Sequence, residues 1–288
     1  MANKQYISII RLLKHCGIVC DGELNVPRIK KQLNAEFGYS ANGYIEVDGY
    51  TYNKNDVLEE LELPNFNSRL HYHKKIWASK IILAVVEDNV VNLRDVKDAF
   101  DEFQHDVAFD EFLSPYFAAP FNHICRSFIN EPDLYDVGKW LRFEGFLLAE
   151  DREEGFKAIR IFLEDTLRLF RNINSDNYKI FRPKIMPWIT PGWENFLNNL
   201  PDEFYSFKDK VVVDLINLTV AIQKADRDDA RNISSGLMIL NGLPENLRST
   251  IYGNDAAYNK NAKPSNYSWV VGIGVVVLKL LVFSGGCR

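Results

Sequence analysis

Cysteine is scarce in this chain. Cys16, Cys20, Cys125 and Cys287 are the four among 288 residues, too few and too scattered for a disulfide framework. Cys16 and Cys20 would share a helix face only if the helix ran through Gly17, and a glycine there is a stop signal. Reduced, buried thiols and a reducing compartment are the expectation. Excess positive charge is lacking as well. The formal net charge is −5, from 34 basic and 39 acidic residues; setting Lys279 and Arg288 aside leaves 32 basic residues and −7 for the rest. Such a body is repelled by phosphate backbones and anionic lipid surfaces, so neither nucleic acid nor peripheral electrostatic membrane binding is expected.

Motifs that carry chemistry are missing too. No Gly-x-x-x-x-Gly-Lys-Ser/Thr loop, His-Glu-x-x-His, Gly-x-Ser-x-Gly or Cys-x-x-Cys occurs, which lowers the odds of a nucleotide-binding, zinc-protease, hydrolase or paired-thiol site. Lys4, Arg11 and Lys14 interrupt the apolar positions of residues 1–17, so a cleaved leader is not expected. Composition nevertheless points to a folded state: 47% hydrophobic, 25% charged and 13% aromatic.

One long hydrophobic run is present, at residues 269–283: W-V-V-G-I-G-V-V-V-L-K-L-L-V-F, apolar except at Lys279. As a helix it would span about 22 Å at ~1.5 Å per residue. A bilayer core is about 30 Å thick, so flanking residues are needed to reach a marginal spanning length. Tyr267 and Trp269 stand where interfacial rings are favoured, and the stem of Lys279 can carry its ammonium toward the headgroups. A buried strand is the competing reading, since the valines and isoleucine suit one. It would need partner strands, and only one hairpin is visible elsewhere. The segment before it, GNDAAYNKNAKPSNYS, reads as a polar linker.

The upstream chain reads as helices. Residues 5–15 and 27–37 are two short helices, stopped by Gly17 and Gly38. Asp48-Gly49 between the alternating runs 44–47 and 50–52 is a strong hairpin signal, and Asn53 or Asn55 caps a helix ending before Pro64. Periodicity then gives a long helix over 70–87 and a second one capped by Asn92. Pro115 and Pro120 are expected to break the run that resumes at 121–129. Further helices follow over 132–148 and 155–172. Three prolines in 178–193 suggest a non-helical connection. A short helix from Pro191 and the helices 204–225 and 230–240 complete the body. The expected fold is mainly α: a multi-helix, bundle-like body with one small N-terminal β-hairpin and a C-terminal hydrophobic helix. Its expected organisation is an α+β unit at 1–63, a helical domain at 68–252, a polar linker at 253–268 and a transmembrane tail anchor at 269–284.

Candidate sites are sparse. Glu102 and His105 have the Glu-x-x-His spacing of di-iron bundles, which need two such motifs. His71 and His73 diverge by about 200° on a helix; beside Lys74 and Lys75 they read as a solvated helix start. His105, Asp106, Asp110, Glu111 and His123 cluster within nineteen residues, the sharpest metal-assisted hydrolysis idea the chain offers. Two helices and a hairpin resemble a winged helix in outline, with Arg28, Lys30 and Lys31 on the second helix. Residues 1–63, however, hold seven basic and nine acidic side chains, the wrong balance for a DNA reader. The rings of 178–205 suit core packing better than a partner patch. No catalytic, cofactor-binding or metal residue is therefore assigned. The expected function is a membrane-tethered interaction protein, a scaffold or adaptor whose body faces the cytoplasm and binds another protein. The alternative is a helical enzyme or ligand sensor with a metal-assisted site near His105–His123.

Overall fold

A computed structural model describes residues 5–40, 42–88, 106–131 and 134–259. Among these the chain is mainly helical, with one two-stranded antiparallel sheet. It divides into two compact units, Met1–Ile124 with Gly145–Phe156, and Cys125–Glu144 with Lys157–Arg288.

In the first unit, helix Ile9–His15 buries Ile9, Leu12 and Leu13, and helix Val26–Tyr39 buries Ile29, Leu33 and Phe37. Asn25 caps the second helix by accepting the Arg28 amide, with Pro27 in its first turn. Strands β1 (Tyr44–Val47) and β2 (Tyr50–Asn53) pair with Val47 opposite Tyr50. Asp48 and Gly49 both have positive φ, 52° and 82°, as a two-residue type I′ turn requires. Asn53 ends β2 and caps helix Lys54–Glu62. One apolar core joins these elements through Leu12, Leu33, Phe37, Val57, Leu61 and Leu70.

The single helix expected over 70–87 is two. Phe66–Ala78 and Lys80–Val86 meet at Ser79, whose extended backbone (ψ 107°) interrupts the ladder. Its hydroxyl accepts the Ile82 amide at 3.2 Å, so a residue with modest helix preference becomes a cap between two apolar stretches. The prolines depart from expectation in the opposite direction. Val107–Asn130 is one helix with Pro115 and Pro120 inside it. An interior proline costs about 3 kcal/mol; here Leu113, Phe117, Phe121 and Ile124, all fully buried, hold the helix together. The segment Gly145–Phe156 joins the same unit. Ser114 donates to Asp151 at 2.6 Å and accepts the Leu148 amide, while Phe146 meets Phe117 edge-on.

The second unit is wholly helical among the described residues. Residues 178–193 are not a loop: Tyr178–Ile189 is a helix containing Pro183 and Pro187. Burial of Tyr178, Ile185, Trp188 and Ile189 outweighs the local preference. Trp188 stacks on Phe162 at 5.7 Å and 3°, and touches Trp193 and Phe196. Two glycines permit backbone contact here. A Cβ on Gly138 of helix Leu134–Trp140 would lie 2.7 Å from Asn195 of helix Trp193–Asn198, and one on Gly236 of helix Arg227–Met238 would lie 2.3 Å from the Trp193 ring. Helices Lys157–Phe170 and Arg227–Met238 pack on Tyr205–Ile222. The last described helix is Glu245–Asn259. It therefore continues through residues 253–259, into the stretch expected as linker. The run 269–283 and the helix expected from Asn92 lie outside the described residues.

Candidate functional site

The first unit holds a polar cleft of about 640 Å³, lined by residues of the N-terminal segment, the hairpin, and helices Lys80–Val86 and Val107–Asn130. Its chemistry starts from Arg11, a cation placed within the apolar face of the first helix. The side chain is 9% exposed and meets the equally buried Glu87 through two contacts, 2.5 and 2.8 Å. The guanidinium lies 3.9 Å from the centre of the Tyr50 ring and 5.5 Å from that of Trp77, a cation–π arrangement. Burial works against the charge on Arg11, and the bonds to Glu87 more than restore it, so its pKa is raised. Arg11 remains charged at any pH the fold survives.

Behind the cleft a chain of polar side chains runs inward. Tyr6 and His73 Nδ1 are 3.1 Å apart, and His73 Nε2 and Glu60 Oε1 also 3.1 Å. Arg69 completes it, bonding to Glu60 at 2.8 Å and to the Tyr116 hydroxyl at 3.3 Å. Burial opposes ionisation of Glu60, but hydrogen bonds from His73 and Arg69 outweigh it and hold the carboxyl at about 2. Burial keeps the His73 pKa below its usual value despite Glu60. A neutral imidazole then donates from Nε2 to the carboxylate and accepts the Tyr6 proton at Nδ1, the assignment that satisfies all three groups. Burial, aided by Glu87, pushes Tyr6 well above the usual phenol range. Tyr6 thus keeps its proton and donates it in a hydrogen bond to His73 Nδ1. The network ties the N-terminal segment to helices Lys54–Glu62 and Phe66–Ala78.

The second unit presents an apolar groove of about 810 Å³. Its lining includes Val213, Asn217 and Ala221 on helix Tyr205–Ile222 together with Phe170, Ile173 and Leu247; Arg171, Asp209, Lys210 and Asp214 add charge to it. Asp214 sits 3.3 Å from Arg171. Burial raises its pKa, with Arg171 opposing the rise. Elsewhere in this unit Asp229 takes Arg182 at 2.5 and 3.0 Å together with the Tyr178 hydroxyl. That cluster is fully engaged.

Of the residues singled out by sequence, Glu102 and His105 lie outside the described residues. Asp106 is exposed and pairs with Lys75 at 2.7 Å, Glu111 is exposed, and Asp110 is buried. His123 is exposed, its Nδ1 2.7 Å from Asp88. Asp110 and His123 stand on one continuous helix about 20 Å apart along its axis, at ~1.5 Å per residue, so they cannot share an ion. Among the described residues no cluster of three His, Cys, Asp or Glu could hold a metal. His71 is exposed but lies inside helix Phe66–Ala78 rather than at a helix start, and His73 is 1% exposed in the core. On the second helix Lys30 is 2.8 Å from Glu62. The rings of 178–205 are mostly core: Trp188, Trp193, Phe196 and Phe204 are buried, and Tyr205 is exposed. Sequence reasoning missed the Tyr6–His73–Glu60–Arg69 chain and the Arg11–Glu87 pair. The only available signal was a lone arginine between Ile10 and Leu12. A scan against family models, a search of curated proteins and a search of solved structures each return no match to this chain.

Proposed function

We propose that the protein is a membrane-tethered, non-enzymatic interaction protein, a scaffold or adaptor whose helical body faces the cytoplasm. The observation that carries this reading is the run at 269–283, fourteen of whose fifteen residues are apolar. Among the described residues no helix is long and apolar enough to cross a membrane. Lys279 is close enough to one end for its ammonium to reach the headgroup layer. Interaction rather than catalysis is favoured because the Tyr6–His73–Glu60–Arg69 side chains are bonded to one another, while the apolar groove of the second unit offers side chains suited to packing. Fractionation tests the reading. Full-length protein should stay in the membrane pellet through an alkaline wash, and the chain lacking residues 269–288 should move to the supernatant. Full-length protein released by the wash would overturn the proposal.

A further inference from the structure

The groove of the second unit has an uneven origin. Helix Tyr205–Ile222 carries Val211, Val212, Val213, Leu215, Ile216 and Leu218 in near-continuous sequence, so it is apolar on nearly all sides. A helix of that kind is normally covered all round. Helices Lys157–Phe170 and Arg227–Met238 cover part of it, and Val211, Val212, Leu215 and Leu218 are buried. The stripe Val213, Asn217, Ala221 remains half-exposed in the groove lining.

We propose that this groove is the resting seat of residues 269–283 of the same chain, which leave it when lipid is present. The idea rests on the reading of that run as membrane-seeking and adds a regulation to it. Reach permits it. Leu247 lines the groove, and Asn259 lies about 18 Å farther along the same helix at ~1.5 Å per residue. The nine residues 260–268 that follow span up to about 30 Å when extended, enough to bring Trp269 back. Size permits it too: the stripe from Lys210 to Ala221 runs about 16 Å, and a helical 269–283 would be about 22 Å long. Chemistry matches on both sides. Valine, isoleucine and leucine side chains would meet Phe170, Ile173 and Leu247, and the one charged residue of the run, Lys279, would meet Asp209 and share Asp214 with Arg171 at the groove. Held there, the run would be shielded from water; in a bilayer it would be shielded by lipid, and the groove would then be free for another protein's apolar helix.

The test uses full-length Val213→Cys protein, with alkylation at position 213 read by peptide mass spectrometry. In lipid-free buffer the full chain should react about tenfold more slowly than the same chain ending at Asn259, a ratio set by how often the seat opens. Val275→Asp in the full-length chain should abolish the protection while circular dichroism stays unchanged, which separates loss of the seat from loss of the fold. Adding phosphatidylcholine–phosphatidylserine vesicles should restore fast alkylation as the protein floats with them. Equal rates in the long and short chains would overturn the seat, and flotation alone would then judge the membrane reading. Protection that grows with protein concentration would overturn it in favour of a second copy. Protection without flotation would keep the seat and overturn the membrane reading.

Discussion

His73 and Glu60 give acid sensitivity a residue-level cause. The folded pKa of His73 is depressed, so the unfolded chain takes up its proton first and stability falls as pH drops below about 6.5. Glu60 is held at about 2; its contribution is present above the unfolded value near 4.5 and is lost as pH falls toward 2. Urea unfolding between pH 8 and 3 should therefore show a gentle decline beginning near 6.5 and a steeper one below ~4.5. His73→Gln should flatten the first. Glu60→Gln should cost about 2 kcal/mol at pH 7 by exchanging the charged acceptor of Arg69 and His73 for a weaker neutral amide oxygen, and should flatten the second. Gly236 is constrained by space alone. Alanine there would drive a Cβ into the Trp193 ring, which cannot retreat because Trp188 packs against it. Gly236→Ala should cost about 2 kcal/mol and change the tryptophan emission.

Proline carries the lesson at the element scale. The two interior prolines of Val107–Asn130 each remove a backbone donor, and burial of one apolar face compensates. Pro115→Ala, at an exposed position, should restore a hydrogen bond and raise the melting temperature, consistent with a gain of about 1 kcal/mol. Ser79→Ala should instead cost about 1 kcal/mol through the lost cap of Lys80–Val86. These two positions also show what sequence could deliver. The hairpin was legible because Asp48-Gly49 is a local signal of turn geometry; the cap was legible as Asn53 or Asn55, and the structure makes it Asn53. The continuity of a helix through Pro183 and Pro187, or its break at Ser79, depends on which side chains find a core, and that is settled by residues distant in sequence. The inward polar chain was hidden for a related reason. Tyr6, Glu60 and His73 come from three separate elements and have no shared spacing. Asp110 and His123, near neighbours in sequence, were set apart by thirteen residues of helical rise, about 20 Å at ~1.5 Å per residue.

At the scale of the whole molecule, the two compact units make different demands. The first secures its N-terminal segment with buried ion pairs; the second relies on stacked rings and on helices brought close by glycine. Removing residues 269–288 should leave the melting temperature of the cleft-bearing unit unchanged, since its core is assembled from other elements; a chain that aggregates without them would count against the tether. Selective loss of tertiary structure at pH 3–4 should begin around Tyr6 and His73, where hydrogen exchange can follow it residue by residue.

The fit between Trp193 and Gly236 has a consequence for descent. With no space between indole and backbone, neither position can drift alone: a side chain gained at 236 requires a smaller ring at 193. Diverged cousins of this chain should display that trade as paired changes, discernible even where the rest of the text has been rewritten.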